Sequence, residues 1–139
     1  MSKSNHKTLN RALWTAQTLA ALLFLFAGSM KFIMSAEQMQ QGPIVFSIGF
    51  MHFIGACECL GALGLILPGM FRVQTWLTPL AAAGLTVIMI GATTVTISSM
   101  GAPAAILPAT VGVITVWITY ARFGVAPIAS TPRRVLRAA

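Results

Sequence analysis

The chain has 139 residues, of which 57% are apolar and only 8% are charged, and its formal net charge is +7. Soluble domains carry about 25% charged residues, so this composition excludes an ordinary soluble fold and is typical of a membrane protein. The basic excess lies mostly near the chain ends, which favours orientation in an anionic bilayer over binding to nucleic acid. We therefore expect an all-α, polytopic membrane protein whose partner is the lipid bilayer and not nucleic acid.

Four apolar runs follow one another along the chain, and each is close to the ~20 residues that cross a hydrocarbon core of ~30 Å. They cover about residues 12–32, 44–67, 79–98 and 104–123. The sequence therefore predicts a cytoplasmic N-terminal segment, a four-transmembrane-helix bundle and a mobile cytoplasmic C-terminal tail. These three parts cover residues 1–11, 12–123 and 124–139.

Proline and capping residues predict where the helices begin and end. Pro43 and Pro79 suit first helical turns, where a missing N–H costs nothing. Thr78 suits the N-cap before Pro79. Pro68 and Gly69 predict the end of the second helix.

Lysine and arginine are distributed unevenly about the four predicted spans. Only Lys31 falls on the side opposite to the chain ends. The others fall on the side of both termini: Lys3, Lys7, Arg11, Arg72, Arg122, Arg133, Arg134 and Arg137. Because basic loops stay in the cytoplasm, both termini are predicted to be cytoplasmic. A cleaved signal peptide ending near "FAGS" is the alternative, but the apolar run is much longer than a signal core and Lys31 follows it directly.

Glu58 lies near the middle of the second apolar run, ~21 Å from its outer end and ~14 Å from its inner end. A charge at this depth costs several kcal/mol, so the carboxylate is expected to face protein or water, and to pair or bind a proton. Small residues let another helix approach closely, so the face around Glu58 is expected to be interior. Its helical neighbours are Ile54, Gly55, Gly61, Ala62 and Leu65.

The third run offers a stripe that could face Glu58, made of Ala81, Gly84, Ile88, Gly91 and Val95. Thr94 and Thr96 are candidate interior polar residues here, because a hydroxyl group can donate a hydrogen bond without carrying charge. Two interpretations of Glu58 stay open. It is either a structural group, hydrogen-bonded and often neutral, or a functional group that carries a proton or binds the polar head of a ligand.

Lys31 and His52 are the other candidates for binding a ligand or a proton. If the ends of the first two helices are level, Lys31 lies ~15 Å along the axis from Glu58, whereas its side chain spans ~6 Å. This favours a neutral or water-bridged Glu58 over a direct pair. His52 lies ~120° around the helix from Glu58 and is either a packing residue or a cavity ligand.

A metal site is not expected, since the candidate ligands of the second run are spread around one helix: His52, Cys57, Glu58 and Cys59. The catalytic residues, if there are any, cannot be assigned from the sequence.

Three segments resemble the first three helices of the DoxX-like family of small membrane proteins, related to DoxX and DoxD. They are "FLFAGSMKF", "IGACECLGALGLILP" and "AAAGLTVIMIGATT". The resemblance covers roughly residues 12–120, and Lys31 and Glu58 are its most informative positions. One departure is Thr96, since many relatives have a histidine there.

This resemblance implies a four-helix bundle in the bacterial cytoplasmic (inner) membrane and a link to redox complexes. The first functional hypothesis is a small membrane module of a redox or quinone-linked complex, with an interior polar pocket near Lys31 and Glu58. A proton-coupled carrier of a small molecule and a scaffold or assembly protein without a catalytic site stay open as alternatives. The partners implied are quinone or another small molecule, a second copy of the chain, or redox partner proteins. No recognisable motif encodes a cofactor.

Overall fold

The structure is a computed structural model that describes residues 3–39, 41 and 44–129. Within these ranges the chain is helical and contains no strand. The helices are α1 (Lys3–Ile33), α2 (Ala36–Met39), α3 (Ile48–Phe71), α4 (Leu77–Met100) and α5 (Ile106–Tyr120), which continues as a π-helical turn (Ala121–Val125). The described residues form 4 helices that are long and apolar enough to cross a membrane. The predicted all-α, four-span fold is therefore confirmed, while most of the predicted tail lies outside the described residues.

The four long helices pack in chain order, and α5 closes the bundle against α1. We call the end at which α1 begins and α5 finishes the terminal end. The core between the helices is formed by Ala20, Ala21, Phe24, Ala62, Leu65, Ala82, Leu85, Met89 and Ile118. The outer surface is also apolar, with exposures of 63–69% for Leu19, Phe26, Leu60, Val87 and Val113. Lipid tails are as apolar as these side chains, so this surface suits a bilayer.

Helix α3 begins with a side-chain cap and continues past its proline. Ser47 is the N-cap, and its hydroxyl accepts a hydrogen bond from the backbone N–H of Phe50. The predicted stop at Pro68 is wrong, because α3 continues to Phe71. Proline lacks an N–H group but keeps its carbonyl group, so a proline in the last turn can still accept hydrogen bonds from the residues after it. The carbonyl oxygen of Pro68 accepts a hydrogen bond from the N–H of Arg72. Arg72 ends the helix in the left-handed conformation, with a φ of 55°.

Helix α4 begins at Leu77, two residues before Pro79, so Pro79 lies in the first turn as predicted. Thr78 is not the N-cap, because that position is held by Trp76 and no side chain caps the helix. The Thr78 hydroxyl is instead buried, with no hydrogen-bond partner among the described residues. The prediction for Pro43 lies outside the described residues.

Candidate functional site

Helices α1 and α3 cross where two glycines face each other. A Cβ atom on Gly28 would lie 2.7 Å from the carbonyl oxygen of Gly55 and 2.7 Å from Sγ of Cys59. A Cβ atom on Gly55 would lie 2.9 Å from the carbonyl oxygen of Gly28. Both positions therefore exclude a larger residue unless the helices move apart. This crossing fixes the level at which Lys31 passes Glu58.

Lys31 and Glu58 form a direct ion pair beside the crossing. Nζ of Lys31 donates to Oε2 of Glu58 at 2.6 Å, and it lies 3.4 Å from the carbonyl oxygen of Ala27. The Glu58 side chain is 5% exposed, whereas the Lys31 side chain is 20% exposed. The carboxylate is thus enclosed by the bundle, and the lysine side chain keeps an accessible face.

The expectation that the two groups do not touch is wrong, and helix geometry explains why. The expectation assumed that the ends of the first two helices are level and that the second helix begins near Ile44, but α3 begins at Ile48. Counted from the glycine crossing, the two α-carbons are only ~9 Å apart along the axis. Side chains tilt toward the N-terminus of their own helix. Because α1 and α3 are antiparallel, Lys31 and Glu58 lean toward each other.

Part of the bonding capacity of this pair is unused. Among the described residues, Oε1 of Glu58 accepts no hydrogen bond, and an ammonium group has three protons to donate. The rings of Phe32 and His52 stack nearby, with centroids 5.3 Å apart and 17° between planes. His52 therefore lies against an aromatic ring rather than at Glu58. The site offers a donor, an acceptor and a stacked aromatic pair.

The threonines predicted to be interior make hydrogen bonds within α4 instead of approaching the ion pair. Thr94 is exposed and donates to the carbonyl group of Ile90. Thr96 is half-buried and donates to the carbonyl group of Ala92. Neither hydroxyl group contributes a hydrogen bond to the Lys31–Glu58 site.

The stripe predicted on the third span is wrong at Gly84 and Gly91, which are exposed. Ala81 does face α3, since a Cβ atom on Gly64 would lie 2.7 Å from Cβ of Ala81. The buried residues of α4 are Thr78, Pro79, Ala82, Leu85 and Met89. A Cβ atom on Gly61 of α3 would lie 2.6 Å from Cδ2 of Leu85. The small residue on α3 therefore makes room for a large one on α4, which buries more surface than two small faces would. The close approach predicted at Gly61 is confirmed.

A second polar cluster at the terminal end was missed by the sequence reasoning. Nε of Arg122 donates to Oε1 of Gln17 at 2.8 Å, and Nη1 donates to Oδ1 of Asn10 at 2.7 Å. Nε2 of Gln17 donates to the carbonyl oxygen of Leu65 at 2.8 Å. Gln17 and Arg122 are 0% and 3% exposed. The sequence does contain a sign of this cluster, since Gln17 interrupts an apolar run. Arg122 gives no such sign, because a basic residue near the end of a span is explained equally well by orientation in the membrane.

Five cavities formed by the described residues are lined by residues other than Lys31 and Glu58. The predicted interior polar pocket at this pair therefore stays a prediction. The described residues contain no group of three His, Cys, Asp or Glu side chains that could hold a metal ion. Cys57 and Cys59 are free thiols, and both are half-buried.

Four apolar helices, two of which are joined by a lysine–glutamate ion pair, define a small multi-pass membrane protein. A family model described as the DoxX-like family matches residues 15–118. The chain belongs to the DoxX-like family, as the three quoted segments predict. No curated protein and no solved structure gave a match.

Proposed function

We propose that this chain is a small membrane module of a redox or quinone-linked complex, and that its Lys31–Glu58 pair binds the polar head of a small molecule. The observation that supports this is the direct ion pair between the two residues inside candidate membrane spans. A buried ion pair adds little stability compared with apolar residues of similar volume. Ionisable residues in a membrane interior mark functional sites by default.

The unused atoms of the pair match a quinone-like head group. The ammonium group of Lys31 can donate to a carbonyl oxygen, and Oε1 of Glu58 can accept from a hydroxyl group. The pair can therefore bind the oxidised and the reduced form of such a head group. The 20% exposure of the Lys31 side chain gives a ligand access from the bilayer. Phe32 and His52 add a stacked surface beside it.

The apolar layer that separates the two polar clusters supports a binding module rather than a carrier. Gln17 and Lys31 lie ~21 Å apart along α1. Between these levels the core contains Phe24, Ala62 and Leu65, all at most 3% exposed. A carrier would need a polar path through this layer. The proposal includes a location in a bacterial inner membrane with both termini cytoplasmic, which would put Lys31 in the outer half.

The test uses the full chain in nanodiscs, titrated with a short-chain quinone and its quinol while the unfolding temperature is followed. Wild type is expected to show saturable stabilisation, because the ligand binds only the folded state. The double variant K31M/E58Q removes both charges without leaving one unpaired, and it is expected to lose the effect. Thr94→Val is the matched control, since Thr94 is exposed and its hydroxyl bonds only within α4. Equal stabilisation of the double variant would contradict the proposal.

A further inference from the structure

Arg122 is a buried cation that contacts no acidic side chain among the described residues. It is 3% exposed. The chain has only 2 acidic side chains. Glu58 is bound to Lys31, and Glu37 lies in α2, near the opposite end of the bundle from Arg122. A buried guanidinium is normally paired, because its desolvation is otherwise uncompensated. Neither acidic side chain of this protein therefore balances the charge of Arg122.

Within the part of the chain that the structure describes, the contacts of Arg122 are all neutral, and its donors are not all used. Its three hydrogen bonds go to Oε1 of Gln17, Oδ1 of Asn10 and the carbonyl oxygen of Ala126. Nη2 is buried and has no hydrogen-bond partner among the described residues. The ring of Trp14 lies below the guanidinium, 5.7 Å from Cζ to the ring centroid. The group is held in place by its neighbours, but one nitrogen is left without an acceptor.

A cavity of about 660 Å³ adjoins this arginine at the terminal end. Three contacts of Arg122 form part of its wall, namely Asn10, Trp14 and Ala126. Arg72 and His6 also line it, and none of the described lining residues is acidic. Asn10 is exposed, so its side chain can turn away and open the Nη1 side of the guanidinium to the cavity. The cavity is thus positively charged and open, and only the side chain of Asn10 separates it from the Nη1 donor of Arg122.

We infer that this cavity binds a phosphate group, held by Arg122 from within and by Arg72 from the rim. The planar fork of a guanidinium matches the oxygens of phosphate, and a buried fork favours an oxyanion over a halide. A phosphate oxygen replaces the neutral carbonyl oxygen of Asn10, whose amide nitrogen can then donate to the ligand. The phosphate comes either from the head group of an anionic lipid or from a free phosphate ion.

Arg72 provides a substitution that separates binding from stability. Its φ of 55° is a left-handed conformation that costs an L-residue energy but suits glycine. Arg72→Gly therefore removes the rim charge without straining the backbone. Arg11→Gln is the matched control, because Arg11 is exposed on α1 and does not line the cavity. Arg122→Lys keeps the buried charge but removes the fork.

The experiment follows the unfolding temperature of the full chain in a neutral detergent. One arm adds inorganic phosphate against sodium chloride of equal ionic strength, and the other adds dihexanoyl phosphatidylglycerol against dihexanoyl phosphatidylcholine. Wild type is expected to show saturable stabilisation in at least one arm. Stabilisation in the first arm assigns free phosphate, and stabilisation in the second arm alone assigns a lipid head group.

The variants decide whether the stabilisation by phosphate or lipid arises from binding in this cavity. Arg72→Gly is expected to weaken binding at least about tenfold, since hydrogen bonds to charged groups are strong, while Arg11→Gln leaves it unchanged. Arg122→Lys is expected to weaken it similarly, and the result for Arg72→Gly stands even if this variant fails to fold. Equal losses in Arg11→Gln and Arg72→Gly would show diffuse attraction to the basic end and overturn the inference. No saturable effect in either arm would overturn it as well.

Discussion

Lys31 reaches inward to Glu58 and not outward to the nearer end of α1, and its Nζ lies 2.6 Å from Oε2. Breaking such a pair at Glu58 leaves the mostly buried charge of Lys31 without its partner. Glu58→Gln is therefore expected to lower the free energy of unfolding by ~3–5 kcal/mol. The measurement is denaturant unfolding in mild detergent, with unchanged helical circular dichroism as the control for folding.

Lys31→Met is expected to recover much of this loss when it is added to Glu58→Gln, because no charge is then left unpaired. A double-mutant cycle should give a coupling energy above ~2 kcal/mol between the two positions. Additive effects of the two substitutions would mean that the pair contributes nothing as a unit.

The glycine crossing predicts a sharp contrast between two alanine substitutions. Gly28→Ala puts a Cβ atom 2.7 Å from the carbonyl oxygen of Gly55, and backbone cannot move aside as a side chain can. We expect a loss of ~1–3 kcal/mol, together with weakened Lys31–Glu58 coupling. Gly84→Ala is the control, because nothing lies within 4 Å of its added Cβ atom. Equal thermal stability of the two variants would show that the helices do not cross at Gly28.

Gly61 tests the packing of α3 against α4. Gly61→Leu is expected to destabilise by ~1–3 kcal/mol, because the site is filled by the side chain of Leu85. Gly91→Leu introduces the same side chain at an exposed position of α4 and should change little. The readout is the unfolding temperature in detergent, and similar losses in both variants would count against the assigned face.

The orientation in the membrane is tested with reporter fusions after Gln40 and after Ala139. The distribution of lysine and arginine predicts an outward reporter at Gln40 and a cytoplasmic one at Ala139. Phosphatase and fluorescent-protein fusions report the two sides in a complementary way. An outward signal from the Ala139 fusion is incompatible with four spans and cytoplasmic termini.

The number of spans could be predicted because it depends only on the length and composition of apolar runs. The buried position of Glu58 followed from the cost of a charge in lipid, which holds for any neighbour. The ion pair could not be predicted in the same way, because it depends on where two helices cross. That level is set by Gly28 and Gly55, and no helical periodicity within one span reveals which glycines of another span they face.

The buried face of α4 shows a second limit of the sequence. A stripe of small residues suggested an interface, but the structure turns Gly84 outward and buries Leu85 against Gly61. Small residues permit the close approach of two helices but do not require it. The rotation of a helix is therefore set by the side chains that bury more surface, here Leu85. Arg122 was missed for a related reason, since a charge near a span end serves orientation equally well whether it is buried or exposed.

Gln17 links three helices, since its amide nitrogen donates to the Leu65 carbonyl oxygen on α3 and its amide oxygen accepts from Arg122 after α5. The ribosome delivers these helices in order, so α1 and α3 can pair while α5 has not yet been synthesised. Until the last span arrives, Oε1 of Gln17 has no guanidinium to accept from. The arrival of Arg122 therefore completes the polar cluster, and the chain finishes folding only when its final helix has been inserted.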